Sequence, residues 1–222
     1  MQAILIADDH PLFRSALSGT LQRLYPQARI LEAEDMPGAC AMLEQHPELE
    51  LVLLDLHMPG SYGFGGLMSL RNTFPTVATV MISANENPQT VQSALDFGAQ
   101  GYILKRATPD QITAALAAVA EGIIWVPAEI ACQLDRKQHV PSPMAAKLAT
   151  LTPQQHRVLE LVSEGLLNKQ IADRLNIQER TIKAHVSAIF EKLEVRNRTQ
   201  AGVALRELAV PDPDQAVPQH QQ

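Results

Sequence analysis

The chain has 222 residues, 46% hydrophobic and 19% charged, a balance that supplies ordinary buried cores and excludes an unfolded, charge-dominated polymer. That length exceeds one typical domain and suits two. The net charge of -6 hides an asymmetry: residues 1–122 carry 6 Lys and Arg against 13 Asp and Glu, whereas residues 149–210 carry 9 against 7, so two halves with different partners are expected.

Two cysteines, Cys40 and Cys132, cannot build a disulfide framework or a metal quartet. No apolar run approaches the roughly 18 residues of a membrane span. The opening MQAILIADDH has no basic stretch before its apolar residues and reads as a strand, not a secretion signal. A reducing, cytoplasmic setting without a membrane partner fits these features.

Taken in order, Ala3 to Ala7 is an apolar run that ends in Asp8 and Asp9. PLFRSALSGTLQRLY then spaces Leu12, Ala16, Leu17, Leu21 and Leu24 as a helix would. The alternation repeats: a strand near Ala28 to Glu32, a helix near Met36 to Gln45, the strand LVLLD ending in Asp55, and a helix from about Gly66 to Thr73. A strand from Thr79 to Ile82 follows and ends in Ser83, then a helix from Pro88 to Phe97 and a strand from Gly101 to Leu104 ending in Lys105. A last helix runs from about Pro109 to Glu121, with Thr108 as cap and Pro109 in the first turn, where a missing N–H costs nothing. Four apolar residues in a row before Asp55 describe a strand buried on both faces. Five such strands alternating with five helices predict an α/β domain with a parallel, doubly wound sheet.

The residues closing these strands carry the chemistry. Asp8, Asp9, Asp55, Ser83 and Lys105 all stand at carboxyl ends of parallel strands, which meet along one sheet edge, where open α/β sheets bind ligands. Carboxylates held together repel unless a cation lies between them, and hard oxygen ligands suit Mg²⁺. A carboxylate beside that ion, with an ammonium and a hydroxyl in reach, is what a phosphoryl acceptor requires. Each residue also has a plainer role: Asp8 as a helix cap, Ser83 as a turn starter, Tyr102 as a packed strand aromatic, Lys105 as a solvated surface lysine.

IADDHPLFR, LVLLDLHMPG, VMISA and GAQGYILK, in that order, resemble the receiver domain of bacterial two-component response regulators of the NarL/FixJ type. The resemblance covers residues 1–122 and implies a flavodoxin-like (βα)5 fold. It implies that Asp55 accepts a phosphoryl group from a sensor histidine kinase. Asp9, Asp55 and the backbone carbonyl of His57 would hold Mg²⁺, with Asp8 supporting the site. Lys105 would pair with the phosphoryl group, Ser83 would donate a hydrogen bond to it, and Tyr102 would turn inward when it arrives. Two places depart from the commonest family form: the loop SYGFGG between Gly60 and Leu67 is longer, and Arg106 stands where many receivers have a proline.

Residues 123–148 read as a linker in which AEIACQL could form one or two helical turns, while Asp135 to Pro143 shows no periodic apolar face and suggests a mobile tether. Within residues 149–210, TPQQ at Thr152 to Gln155 has the form of a capping box, and its helix stops at Gly165. Asn168 is expected to cap the short helix KQIADRL, and Asn176 to end it in a left-handed conformation. A third helix from Glu179 to Leu193 follows so closely that the pair must cross steeply, as in a helix-turn-helix. Along it Ile182, Val186, Ile189 and Leu193 form one stripe, while Arg180, Lys183, Ala184 and Ser187 lie opposite on a face slim enough for the major groove. A solvated face in a protein-binding bundle is the competing reading, supported by Glu179 and Glu191.

LTPQQHRVLELVSEGLLNKQIADRLNIQERTIKAHVSAIFEKLEVRNRTQA is similar to the LuxR-type helix-turn-helix domain, an all-α unit of four helices. That similarity implies that Lys183, Ala184 and Ser187 face bases of double-stranded DNA and that Asn168, Lys169, Thr181, Arg196 and Arg198 approach phosphates. The helix near Arg198 to Leu208 would be a homodimer surface. Residues 211–222 lack apolar content and are expected to be disordered. The whole reads as a transcription regulator, not an enzyme, switched by phosphorylation of Asp55 and binding half-sites about one helical turn apart. The contrasting readings are a receiver serving as a phosphorylation-independent dimerisation platform, and a Mg²⁺-dependent phosphatase with Asp55 as nucleophile. The phosphatase lacks its usual second acid two residues on, where this chain has His57.

Overall fold

The computed structural model describes residues 2–61, 63–134, 143–148 and 150–206. They form two compact units, one within residues 2–134 and one within 143–206. The tether from Asp135, the tail from Pro211 and the end of the last helix beyond Arg206 lie outside the described residues.

The first unit alternates β1 (Ala3–Ala7), α1 (Pro11–Leu24), β2 (Arg29–Ala33), α2 (Met36–Gln45), β3 (Leu51–Asp55), α3 (Gly65–Thr73), β4 (Ala78–Ser83), α4 (Pro88–Asp96), β5 (Gly101–Leu104) and α5 (Pro109–Ala120). The strands pair in the order β2-β1-β3-β4-β5, every pair parallel. β1 and β3 are buried at every position, as their unbroken apolar runs require. β2 lies at the sheet edge with a partly exposed run and begins one residue later than its composition indicates.

On one face Ile4, Ile6, Leu51, Leu53, Val80, Ile82 and Ile103 pack against Leu17 and Leu21 of α1 and Ile112, Leu116 and Val119 of α5. The inward stripe of α1 is Phe13, Leu17, Leu21 and Leu24. Leu12 is 89% exposed and Ala16 also faces solvent, which corrects the sequence-based stripe: at roughly 100° per residue Ala16 stands about 95° and Leu12 about 135° from the centre of the inward-packing four. α5 is capped as expected, Thr108 and Gln111 satisfying each other's backbone N–H.

After Gly122, whose φ of +76 turns the chain, the segment leaving α5 joins the sheet. Trp125 bridges Gly101 in parallel sense, its carbonyl accepting from the N–H of Tyr102 at 2.9 Å. The single-turn helix α6 (Ala128–Ala131) follows. Arg106 donates to Glu86 ahead of α4 and to Glu129 in α6.

The second unit is all helical: α7 (Pro143–Leu148), α8 (Pro153–Ser163), α9 (Asn168–Leu175), α10 (Glu179–Leu193) and α11 (Arg198–Arg206). Thr152 and Gln155 form the anticipated capping box at α8. Asn176 ends α9 at φ 53 and ψ 45, the left-handed conformation, and only Asn176 to Gln178 separate α9 from α10. Leu148, Val158, Leu161, Ile171, Ile182, Ile189 and Leu193 supply much of its buried core. α7 was not foreseen. Its Leu148 is buried, and the carbonyl of that residue receives the Nε2–H of buried His156 at 3.1 Å. Asn168 does not cap α9 but is its first helical residue. Its side-chain oxygen is taken by Arg198.

Candidate functional site

β1 and β3 are neighbours whose outer partners lie on opposite sides, so the topology opens a crevice at their carboxyl ends. Asp8 and Asp9 follow β1, Asp55 closes β3, Ser83 closes β4 and Lys105 follows β5. Asp8 is fully buried and Asp55 is 3% exposed. The Lys105 ammonium lies 2.8 Å from Asp8 Oδ2 and 3.0 Å from Asp55 Oδ2, and 5.0 Å from the centroid of Phe13. Strands distant in sequence thus deliver two acids and one cation to one point.

Burial pushes the Asp55 carboxyl above the usual carboxylate range, the Lys105 charge opposes that and the Asp8 charge adds to it. Burial draws the Lys105 ammonium down, but Asp55 and Asp8 together outweigh it and leave it raised. Lys105 therefore stays charged, and Asp55 sits in a site that penalises its negative charge.

Two residues here were missed by sequence reasoning. His10 donates its backbone N–H to Asp8 Oδ1 at 2.7 Å, and its Nδ1 lies 2.7 Å from Asp9 Oδ1 and 3.9 Å from Asp55 Oδ2. Arg14, one turn further along α1, donates to the carbonyl of Asp8 and to Glu32. A signal for both existed: Pro11 at the first position of α1 fixes the helix start directly after the acids, so residues 10 and 14 flank them. One ligand atom from each of Asp8, Asp9, His10 and Asp55 lies within 4.8 Å of the others. This mostly carboxylate set fits a small hard divalent cation. His57 stands in the turn after β3.

Ser83 and Tyr102 share a hydrogen-bond cluster beside Asp55. Ser83 Oγ accepts from the N–H of Asn85 at 3.1 Å, and the Tyr102 hydroxyl donates to the carbonyl of Asn85 at 2.8 Å. Tyr102 is fully buried and inward-facing in this structure. Burial, against a hydrogen bond to Ser83, pushes its hydroxyl up to about 12.

In the second unit, Arg180, Thr181, Lys183, Ala184 and Ser187 are exposed along α10, opposite buried Ile182, Ile189 and Leu193, with Val186 half-buried. Lys183 Nζ lies 3.0 Å from Glu179 Oε1, one turn away. Lys169 and Arg196 are exposed, whereas Asn168 and Arg198 are half-buried and bonded to each other at 2.9 Å. Among the described residues no helix is long and apolar enough to cross a membrane.

Residues 4–117 match the response regulator receiver domain, and residues 149–205 match the bacterial regulatory proteins of the luxR family. The chain is 43% identical over 206 residues to the glycerol metabolism activator of Pseudomonas putida, covering 90% of this chain and 93% of that protein. It is 34% identical to the nitrate/nitrite response regulator NarP of Escherichia coli, over 90% and 92% of the two chains. Among solved structures it resembles RcsB of Salmonella enterica serovar Typhimurium bound to a promoter in the presence of phosphomimetic BeF3-, with a TM-score of 0.52, 25% identity, and coverage of 94% of this chain and 100% of that one.

Proposed function

This chain belongs to the two-component response regulators that join a receiver domain to a LuxR-type DNA-binding domain, and from that premise we propose that its DNA-binding unit is switched by phosphorylation of Asp55 by a sensor histidine kinase. One observation carries this reading: the ammonium of Lys105 is held between the buried carboxylates of Asp8 and Asp55. An Asp55 oxygen would form the new O–P bond as the P–N bond of a phosphohistidine breaks, its electron pair returning to the imidazole. Lys105 is placed to pair with the phosphoryl oxygens, and Ser83 to donate to one of them. Asp8, Asp9, Asp55 and the carbonyl of His57 would hold Mg²⁺, which when bound neutralises further charge on the incoming group.

The Ser83–Asn85–Tyr102 cluster adjoins Asp55 and is the element whose arrangement a phosphoryl group would bias. In the second unit Lys183, Ala184 and Ser187 would read base edges, flanked by Arg180, while Lys169, Thr181 and Arg196 approach phosphates. A homodimer acting in the cytoplasm, with α11 as its surface, would match two half-sites about one helical turn apart.

Incubation with Mg²⁺ and acetyl phosphate tests the acceptor. One equivalent of acid-stable, hydroxylamine-labile label on wild type and none on Asp55→Asn is the expected result. Donor turnover far beyond one equivalent would make the protein a phosphatase, and no label on wild type would make the receiver a dimerisation platform.

A further inference from the structure

Arg198 is the first residue of α11, yet its side chain reaches back to the start of α9. One guanidinium nitrogen donates to Asn168 Oδ1 at 2.9 Å, and the other donates to the carbonyl of Leu166, in the turn between α8 and α9. Leu166 immediately precedes Leu167, the N-cap of α9, and Asn168 opens its first turn. Arg198, Asn168 and Leu166 are all half-buried. Gln170 accepts the N–H of Leu167 at 2.7 Å, so the entry to α9 is tied down at consecutive residues. Lys169, next along the helix, points to solvent.

We propose that Arg198 is a positioning residue for DNA binding: its fork clamps Leu166 and Asn168, sets the direction in which α9 leaves its turn, and so aims Lys169 at a phosphate without touching DNA itself. This departs from the phosphate contact that family resemblance implies for Arg198, and it rests on the DNA-binding assignment of the second unit. A planar guanidinium can hold two acceptors at a fixed separation, whereas a lysine ammonium is a compact point charge that cannot reproduce that geometry. A phosphate asks only for charge within reach, and each phosphate contact adds about 0.9 to the slope of log affinity against log salt.

The two roles therefore separate in one experiment on the full chain, with a non-specific DNA duplex titrated over a series of salt concentrations. Arg198→Ala is expected to weaken binding about tenfold, the scale of a lost charge-assisted hydrogen bond, and to lower the salt slope by about one unit as Lys169 leaves its phosphate, so that adding Lys169→Ala lowers neither any further. Arg198→Lys is expected to fail as Arg198→Ala does. Asn168→Ala should lose part of the affinity, and Arg198→Lys with Asn168→Ala should be no worse than Arg198→Lys alone, because both act through one clamp. A further fall of about one unit in slope when Lys169→Ala is added to Arg198→Ala, or wild-type affinity in Arg198→Lys, overturns the proposal in favour of direct contact. Should Arg198→Ala fail to fold by circular dichroism, the Arg198→Lys and Asn168→Ala pair still decides. Absence of salt-dependent binding by wild type would sink the DNA-binding assignment as well, an outcome distinct from either.

Discussion

Lys105 Nζ sits 3.0 Å from Asp55 Oδ2 and closes a triangle with Asp8 Oδ2, so one cation compensates two buried acids on neighbouring strands. Removing a single member of a buried ion cluster costs about 3–5 kcal/mol because charge is left uncompensated. Lys105→Ala is expected to lose about that much in urea unfolding of the full chain. Mg²⁺ should recover part of the loss, and Asp8→Asn in the same background should recover more.

Asp55→Asn has the opposite sign. Burial raises the folded-state pKa of Asp55, so the stability this group contributes is present below the ordinary carboxylate range and is lost as pH rises through the raised value. At neutral pH the amide spares the fold that penalty, and its urea midpoint should exceed that of wild type. The advantage should vanish on acidification, once Asp55 is protonated in both states. Unfolding midpoints of the two proteins across acid and neutral pH test both halves of the statement.

His156 supplies a pH dependence in the second unit. Burial, opposed by its bond to the Leu148 carbonyl, lowers its pKa to about 4. The unfolded chain therefore binds the proton first, and stability is full above the ordinary histidine value and declines as pH falls towards 4. A loss on the order of 3 kcal/mol is expected across that window, and His156→Gln should flatten it. Far-UV circular dichroism during urea unfolding reads the change.

Asn176 holds φ 53 at the end of α9, where a branched side chain strains the backbone. Asn176→Val should cost about 1–2 kcal/mol, while Asn176→Gly should be near neutral. Thermal unfolding of the two variants makes the comparison.

The acid pocket could be read from sequence because each of its members ends a short apolar run, and parallel strands bring such ends together whatever the loops do. Asp8, Asp9, Asp55 and Lys105 were legible for that reason. Leu12 was not: one residue's phase on α1 decides between core and solvent, and a list of apolar positions does not fix that phase. Asn168 looked like a cap because caps are local, yet its oxygen is claimed by a guanidinium thirty positions away. α7 escaped notice since six residues are too few for a periodic pattern, and its burial depends on the helices beside it.

Trp125 is the chain's single indole, and it is stitched into the sheet margin through the backbone of Tyr102. Its emission consequently comes from one place in the molecule and needs no attached dye. Any event beneath it that loosens the strand it borders would register as a shift in colour, free of background from a second emitter of its kind.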